Sequence, residues 1–181
     1  MPDIAKVALR LFIIMIVAGL ALGAAYTVTK DPIAEQAQLK QEEARRAVLS
    51  DAETFEPVEF SGSDAITDVY KGIDASGNPC GYAVTVIGSG FGGDITMTVG
   101  IKDETVTGIR ISSPSETPGL GAKSSDEAFY GQFAGKSGKL SVNKNGATND
   151  QEITAITAAT ITSTAVTNAV NEVLAASASL E

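Results

Sequence analysis

The 181-residue chain carries 13 Lys and Arg against 22 Asp and Glu, a formal net charge of −9, and no histidine. No basic stripe exists to neutralise phosphates, which excludes nucleic acid as a partner, and without histidine the usual general base near neutral pH and the commonest metal ligand are missing. The single cysteine, Cys80, can form neither an internal disulfide nor a four-thiolate zinc or iron–sulfur site within one chain, so any redox chemistry must come from an organic cofactor or from partners.

The first predicted element is a membrane anchor. Leu11 to Thr29 (LFIIMIVAGLALGAAYTVT) holds no charge and, as a helix, spans about 28 Å, close to a hydrocarbon core. Lys6 and Arg10 precede it, whereas Lys30 and Asp31 follow and cancel. That bias predicts a single pass through the cell (inner) membrane, with a cytoplasmic N-terminus and residues 30–181 on the other side. Gly23 to Tyr26 (GAAY) offers a small-residue cleavage site, but the apolar run is long for a signal core, and an uncleaved anchor in membrane lipid is the expectation. Gly19 and Gly23 have the spacing that lets a partner helix approach.

Residues 1–30 are therefore assigned to the anchor and 31–60 to a helical connector. Asp31-Pro32 predicts a break or a fresh helix start, with Pro at the first helical position, and a charged helix over about Ile33 to Leu49. Residues 61–181 are assigned to an extracytoplasmic domain. Its first half predicts antiparallel strands: ITDVYKGID (66–74), GYAVTVIG (81–88), DITMTVGI (94–101) and ETVTGIRIS (104–112) are short, rich in β-branched residues and divided by turn formers. A Lys-Asp-Glu turn joins the last two. Cys80 enters a strand and reads as a structural thiol.

GSGFGGD (88–94) is Gly-rich, but no helical pattern follows it, so it is assigned to a strand-to-strand turn and not to a dinucleotide loop. SETPGLGAK (115–123) is a turn-prone loop whose glycines allow backbone to approach a planar ligand; a plain surface loop fits its chemistry equally. SSDEAFYGQFAGK (124–136) predicts a short helix, capped by Ser124 or Ser125, with Phe129 and Phe133 on one face and Gly135 as its stop. The last helix, beginning at about Thr162 or Ser163, presents Ala165, Val166, Ala169, Val170, Val173 and Leu174 as an apolar stripe. The fold class is α+β: an antiparallel sheet with flanking helices behind one N-terminal transmembrane helix.

The stretch before that helix, ITAITAATITSTAV (153–166), crowds hydroxyl residues together. Two readings stay open on spacing alone. The hydroxyls cap the helix, or a group carried by Thr160 uses the free N–H groups and dipole of the helix start, which favour an anion. Thr157, Ala158 and Ala159 are small and leave room for a bulky group.

TAAT followed by ITSTAV resembles the flavinylation motif of the family of membrane flavoprotein subunits RnfG and NqrC, written Ser/Thr-Gly-Ala-Ser/Thr ahead of a helix. SETPGLGAK resembles the Glu-Thr-Pro-Gly-Leu-Gly loop of that family, and GFGGDITMTVGI and FYGQFAGK resemble its strand and helix segments. The motifs run in family order from about Tyr70 to Leu174, and the anchor-then-domain layout is closer to RnfG.

The resemblance implies an FMN-binding domain carrying one covalent FMN per chain, joined by a flavin transferase to Thr160 through a phosphoester. It implies a flavin neighbourhood of Glu116, Thr117, Pro118, Gly119, Leu120, Gly121, Lys123, Thr157, Ala158, Ala159, Ile161 and Thr162. Glu116 and Thr117 would orient the ring by hydrogen bonds, and Lys123 reads first as a solvated surface lysine and otherwise as a neighbour of the ring's anionic edge. The implied activity is that of an electron-carrying redox subunit, without a complete active site of its own, in an ion-translocating ferredoxin:NAD oxidoreductase (Rnf) complex with other membrane subunits as partners. The alternatives are an Nqr-type quinone reductase subunit, a stand-alone extracellular flavoprotein and, from another class, a membrane-anchored solute-binding module without a redox role. Two positions depart from the family pattern. Ala158 stands where the motif has Gly, a change between small residues. Thr154 stands where an acidic residue is usual, with Asp150 and Glu152 nearby.

Overall fold

The computed structural model describes residues 2–114 and 116–180; Ser115, the first residue of the Pro-Gly loop, lies outside them. The chain divides into two units, Met1–Lys40 and Gln41–Glu181. The first consists of helix α1 (Pro2–Val48) up to Lys40. Among the described residues this is the one helix long and apolar enough to cross a membrane. The expected break at Asp31-Pro32 is absent: Pro32 lies inside α1. A proline there removes one backbone hydrogen bond, and the helix carries on past it.

In the second unit β1 (Thr54–Val58), β2 (Ile66–Ile73), β3 (Pro79–Ser89), β4 (Asp94–Lys102) and β5 (Thr105–Pro114) form one sheet in sequential order. Every neighbouring pair is antiparallel. The predicted strands are all present. β1 is an addition to the sequence reading, so the stretch expected to be a helical connector over 31–60 ends in a strand that pairs Pro57 with Tyr70. The β4–β5 turn is tight because Asp103 and Glu104 both adopt positive φ, 49° and 54°, the geometry whose twist matches that of the strands it joins.

Alternation along β3 serves two clusters. Val84 and Val86 join the main core with Met97, Val99, Ile109, Val166, Val170 and Val173, while Ala83 packs with Val48, Leu49, Ala52 and Cys80. Arg45 stacks its guanidinium 4.0 Å over the Tyr70 ring beside that second cluster. Burial pushes the Cys80 thiol up, with the negative charges of Asp51 and Asp74 adding to the effect and Lys102 opposing it. It therefore stays protonated and inert near neutral pH, as a structural thiol does.

Helix α3 (Thr160–Ser177) covers β3 and β4 with the predicted stripe. Asn171 holds the preceding chain by a reciprocal pair of hydrogen bonds to the backbone of Leu140, its Oδ1 accepting from the N–H at 2.8 Å and its Nδ2 donating to the carbonyl at 2.9 Å. The predicted central helix is broken into pieces: a 3-10 turn (Gly121–Ser125), a short α2 (Glu127–Tyr130) and a second 3-10 turn (Gly131–Phe133). Neither Ser124 nor Ser125 caps it. Asp126 is the N-cap residue, without a side-chain cap bond, and the buried Ser124 hydroxyl has no partner among the described residues. Phe129 and Phe133 do share a face and meet edge to face at 5.6 Å. Two three-residue strands, β6 (Ser141–Asn143) and β7 (Glu152–Thr154), pair in parallel; the sequence reading had neither.

Candidate flavin site

Three segments distant in sequence meet at a cleft of about 400 Å³. The β3–β4 turn contributes Phe91, the Pro-Gly loop contributes Glu116, Thr117, Leu120 and Gly121, and the entry to α3 contributes Ala158 through Thr162. A second depression of about 300 Å³ along β1 and β2 includes none of the candidate residues.

The α3 entry is built differently from the sequence reading. The helix starts at Thr160, two or three residues earlier than expected, and Ala159 is the N-cap residue, with no side-chain cap bond. The crowded hydroxyls have separate tasks. Ser163 accepts from Ile156 N–H at 2.9 Å and donates to the Ala159 carbonyl at 3.0 Å, which pins the 156–159 turn against the first helical turn. Thr167 donates to the Ser163 carbonyl at 2.9 Å. Thr162 is buried. The half-buried Thr160 hydroxyl has no hydrogen-bond partner among the described residues. The backbone N–H groups of the first helical turn lack intrahelical acceptors by geometry. An uncapped helix start thus faces a cleft with a free hydroxyl at its rim, an arrangement that accommodates an esterified anion.

Ala158 corrects the reading of its substitution as a mere change of small residues. Its φ is 63°, a left-handed conformation that glycine adopts freely and that puts an alanine Cβ close to the following carbonyl. The motif position favours Gly for its backbone as well as for its size. Ala158→Gly is expected to stabilise the domain by about 0.5–1 kcal/mol, relief of local strain being partly offset by the entropy of the unfolded glycine. A rise of about 2 °C in the thermal midpoint of the detergent-solubilised chain checks this; a fall would refute the strain.

Glu116 is buried at 9% exposure. Its Oε1 accepts from Phe91 N–H at 2.7 Å, so it ties the β3–β4 turn to the Pro-Gly loop. A Cβ on Gly90 or Gly121 would overlap this carboxylate, and on Gly121 also the Thr162 hydroxyl. The glycines leave the space the carboxylate occupies.

Of the residues the resemblance implied, Glu116, Thr117, Leu120, Gly121, Ala158, Ala159, Thr160, Ile161 and Thr162 are brought together. Pro118 and Gly119 lie on the exposed turn of the same loop and do not line the cleft. Lys123 and Thr157 line a separate hollow of about 260 Å³ that includes Asp126, Phe129, Gln132 and Thr154. Phe91 is missing from the residues the sequence points to because the Gly-rich stretch, once a dinucleotide loop is rejected, reads as a plain strand-to-strand turn. The available signal was an aromatic residue flanked by glycines, with no neighbour to cover it. Glu152, near the departed acidic position, is held below the usual carboxylate range by the Asn143 side chain and by the N–H and hydroxyl of Thr148; it secures the loop between β6 and β7.

Residues 90–175 match the FMN-binding domain family. The chain is 38% identical to the G subunit of an ion-translocating oxidoreductase complex from Methanosarcina acetivorans, covering 93% of this chain and 92% of that one. It is 39% identical to the G subunit of the Na(+)-translocating ferredoxin:NAD(+) oxidoreductase complex of Acetobacterium woodii, over 92% of this chain and 87% of that one. Its fold is similar to the crystal structure of Shewanella oneidensis NqrC, with a TM-score of 0.59 at 18% identity, covering 76% of this chain and 93% of that one.

Proposed function

This chain belongs to the family of G subunits of ion-translocating oxidoreductase complexes, and from that premise we propose that it is the electron-carrying subunit of a ferredoxin:NAD oxidoreductase assembly, with FMN esterified to Thr160. When bound, FMN supplies the electron transfer. The chain's own residues place it and shape its surroundings. The free Thr160 hydroxyl at an uncapped helix start is the observation that carries this reading. A phosphodiester there keeps one negative charge, which the N–H groups and dipole of α3 favour. The cleft behind it is lined mostly by apolar groups, with Leu120 and Ile161 beside Thr160, and suits the flat ring of a flavin.

The proposed partners are the other membrane subunits of the complex, a flavin transferase during maturation, and lipid around the N-terminal helix. Leu11–Thr29 carries no charge, so this chain offers no ion path of its own, and ion movement falls to the partners. The proposed topology keeps the N-terminus in the cytoplasm and the FMN domain outside, where a covalent bond prevents loss of the cofactor. After an alkaline carbonate wash the protein is expected in the membrane pellet; release into the supernatant would refute the anchor.

Intact-mass measurement on protein from its native membrane tests the attachment. The expected result is an excess of one FMN less one water, localised to the peptide containing Thr160. A bare Thr160, or flavin on another residue, overturns the proposal.

A further inference from the structure

From Gln41 onward, the large apolar side chains exposed among the described residues are Phe91, Leu120 and Ile161, at 71%, 42% and 57% exposure. All three line the one cleft. They come from a hairpin turn, a loop and a helix start, so no sequence neighbourhood explains the coincidence. Exposed apolar surface gathered at one concave place is the mark of a surface covered by a ligand. Of the three, only Phe91 is aromatic, and a ring stacks well on a planar heteroaromatic.

Phe91 does not hang free. The turn is closed by Gly90 N–H donating to the Gly93 carbonyl at 2.9 Å, and the Phe91 N–H is held by the buried Glu116 carboxylate. That carboxylate fits only because Gly90 and Gly121 have no side chains. We propose that Phe91 covers one face of the flavin ring, and that Glu116 is the positioning residue that holds the turn so that it can. The inference rests on the reading that the cleft receives FMN, and it adds a wall and its brace, both outside the attachment motif.

The test uses the full-length protein in detergent, made with a flavin transferase and matched for FMN content by mass. Visible circular dichroism and flavin fluorescence yield are the readouts, since a stacked ring shapes the first and a stacked indole, unlike a phenyl ring, quenches the second by electron transfer. Phe91→Ala is expected to change the dichroism with little change in emission, whereas Phe91→Trp is expected to keep the dichroism near wild type and to quench the emission severalfold. Glu116→Leu is expected to behave as Phe91→Ala does. Glu116→Gln, which retains an oxygen acceptor for Phe91 N–H, is expected to restore the wild-type signals; a merely structural role would not produce that pairing.

Signals from Phe91→Ala indistinguishable from wild type overturn the proposal. A shift in Phe91→Ala with none in Glu116→Leu overturns the role of Glu116, and if Glu116→Leu does not fold, Glu116→Gln against Phe91→Ala decides it. Should wild type carry no covalent FMN, the attachment reading fails separately, and free FMN titrated into Thr160→Val protein then decides the wall. There Phe91→Ala is expected to weaken binding about fivefold, and equal affinity with and without Phe91 overturns it.

Discussion

Thr160→Val protein purified from its native membrane is expected to carry no covalent flavin, and Thr160→Ser protein to retain it. Valine keeps the β-branched shape at the first position of α3 and removes only the oxygen. Because the Thr160 hydroxyl has no intramolecular partner among the described residues, its loss breaks no hydrogen bond, and the stability change should stay within about 0.5 kcal/mol. The neighbours are poor substitutes as acceptors. Ser163 is engaged by Ile156 and Ala159, Thr162 is buried, and Thr157 faces a different hollow. A denaturing gel viewed under flavin excitation gives the answer: a fluorescent wild-type band, a dark Thr160→Val band and a fluorescent Thr160→Ser band. Fluorescence persisting in the valine variant would place the ester elsewhere. A dark wild-type band would favour the anchored solute-binding module.

Phe133→Ala is expected to cost about 3–5 kcal/mol, the transfer term plus the cavity left behind. Phe133 is fully buried, meets Phe129 edge to face at an interplanar angle of 74°, and sits in the 3-10 turn that packs on β5. The same layer is fastened by Arg110, whose guanidinium lies 4.4 Å over the Tyr130 ring. For a chain of this size the loss corresponds to a fall of about 10 °C in thermal midpoint, read by circular dichroism on the detergent-solubilised chain. The layer follows directly on the Pro-Gly loop, so loosening it also loosens Gly121 and Glu116, and incomplete flavin loading should accompany the thermal loss. A fall of only about 2 °C would mean that α2 and its flanking turns contribute little to the core.

The strands from Ile66 to Pro114 were legible because alternation of β-branched residues between turn formers is a local signal. The α3 stripe was legible for the same reason at helical spacing. The missed strands lack such a signal. β1 contains Pro57 and lies at the edge of the sheet, where proline is tolerated but demotes a sequence reading. β6 and β7 are three residues each and exist through their mutual pairing. The start of α3 was misplaced because Ser and Thr read as caps, whereas Ser163 reaches back from inside the helix to the Ile156 N–H.

Composition and motif order alone determined the uncharged N-terminal helix, the α+β class, the lack of histidine and the threonine proposed as the flavin acceptor, since each is read from composition or from contiguous residues. Only the tertiary structure decided that Phe91 joins Leu120 and Ile161 on one cleft, that the Glu116 carboxylate holds the β3–β4 turn, and that Ala158 sits in a left-handed conformation. Those features depend on which distant segments the antiparallel meander and α3 bring within contact, and no local periodicity encodes that distance.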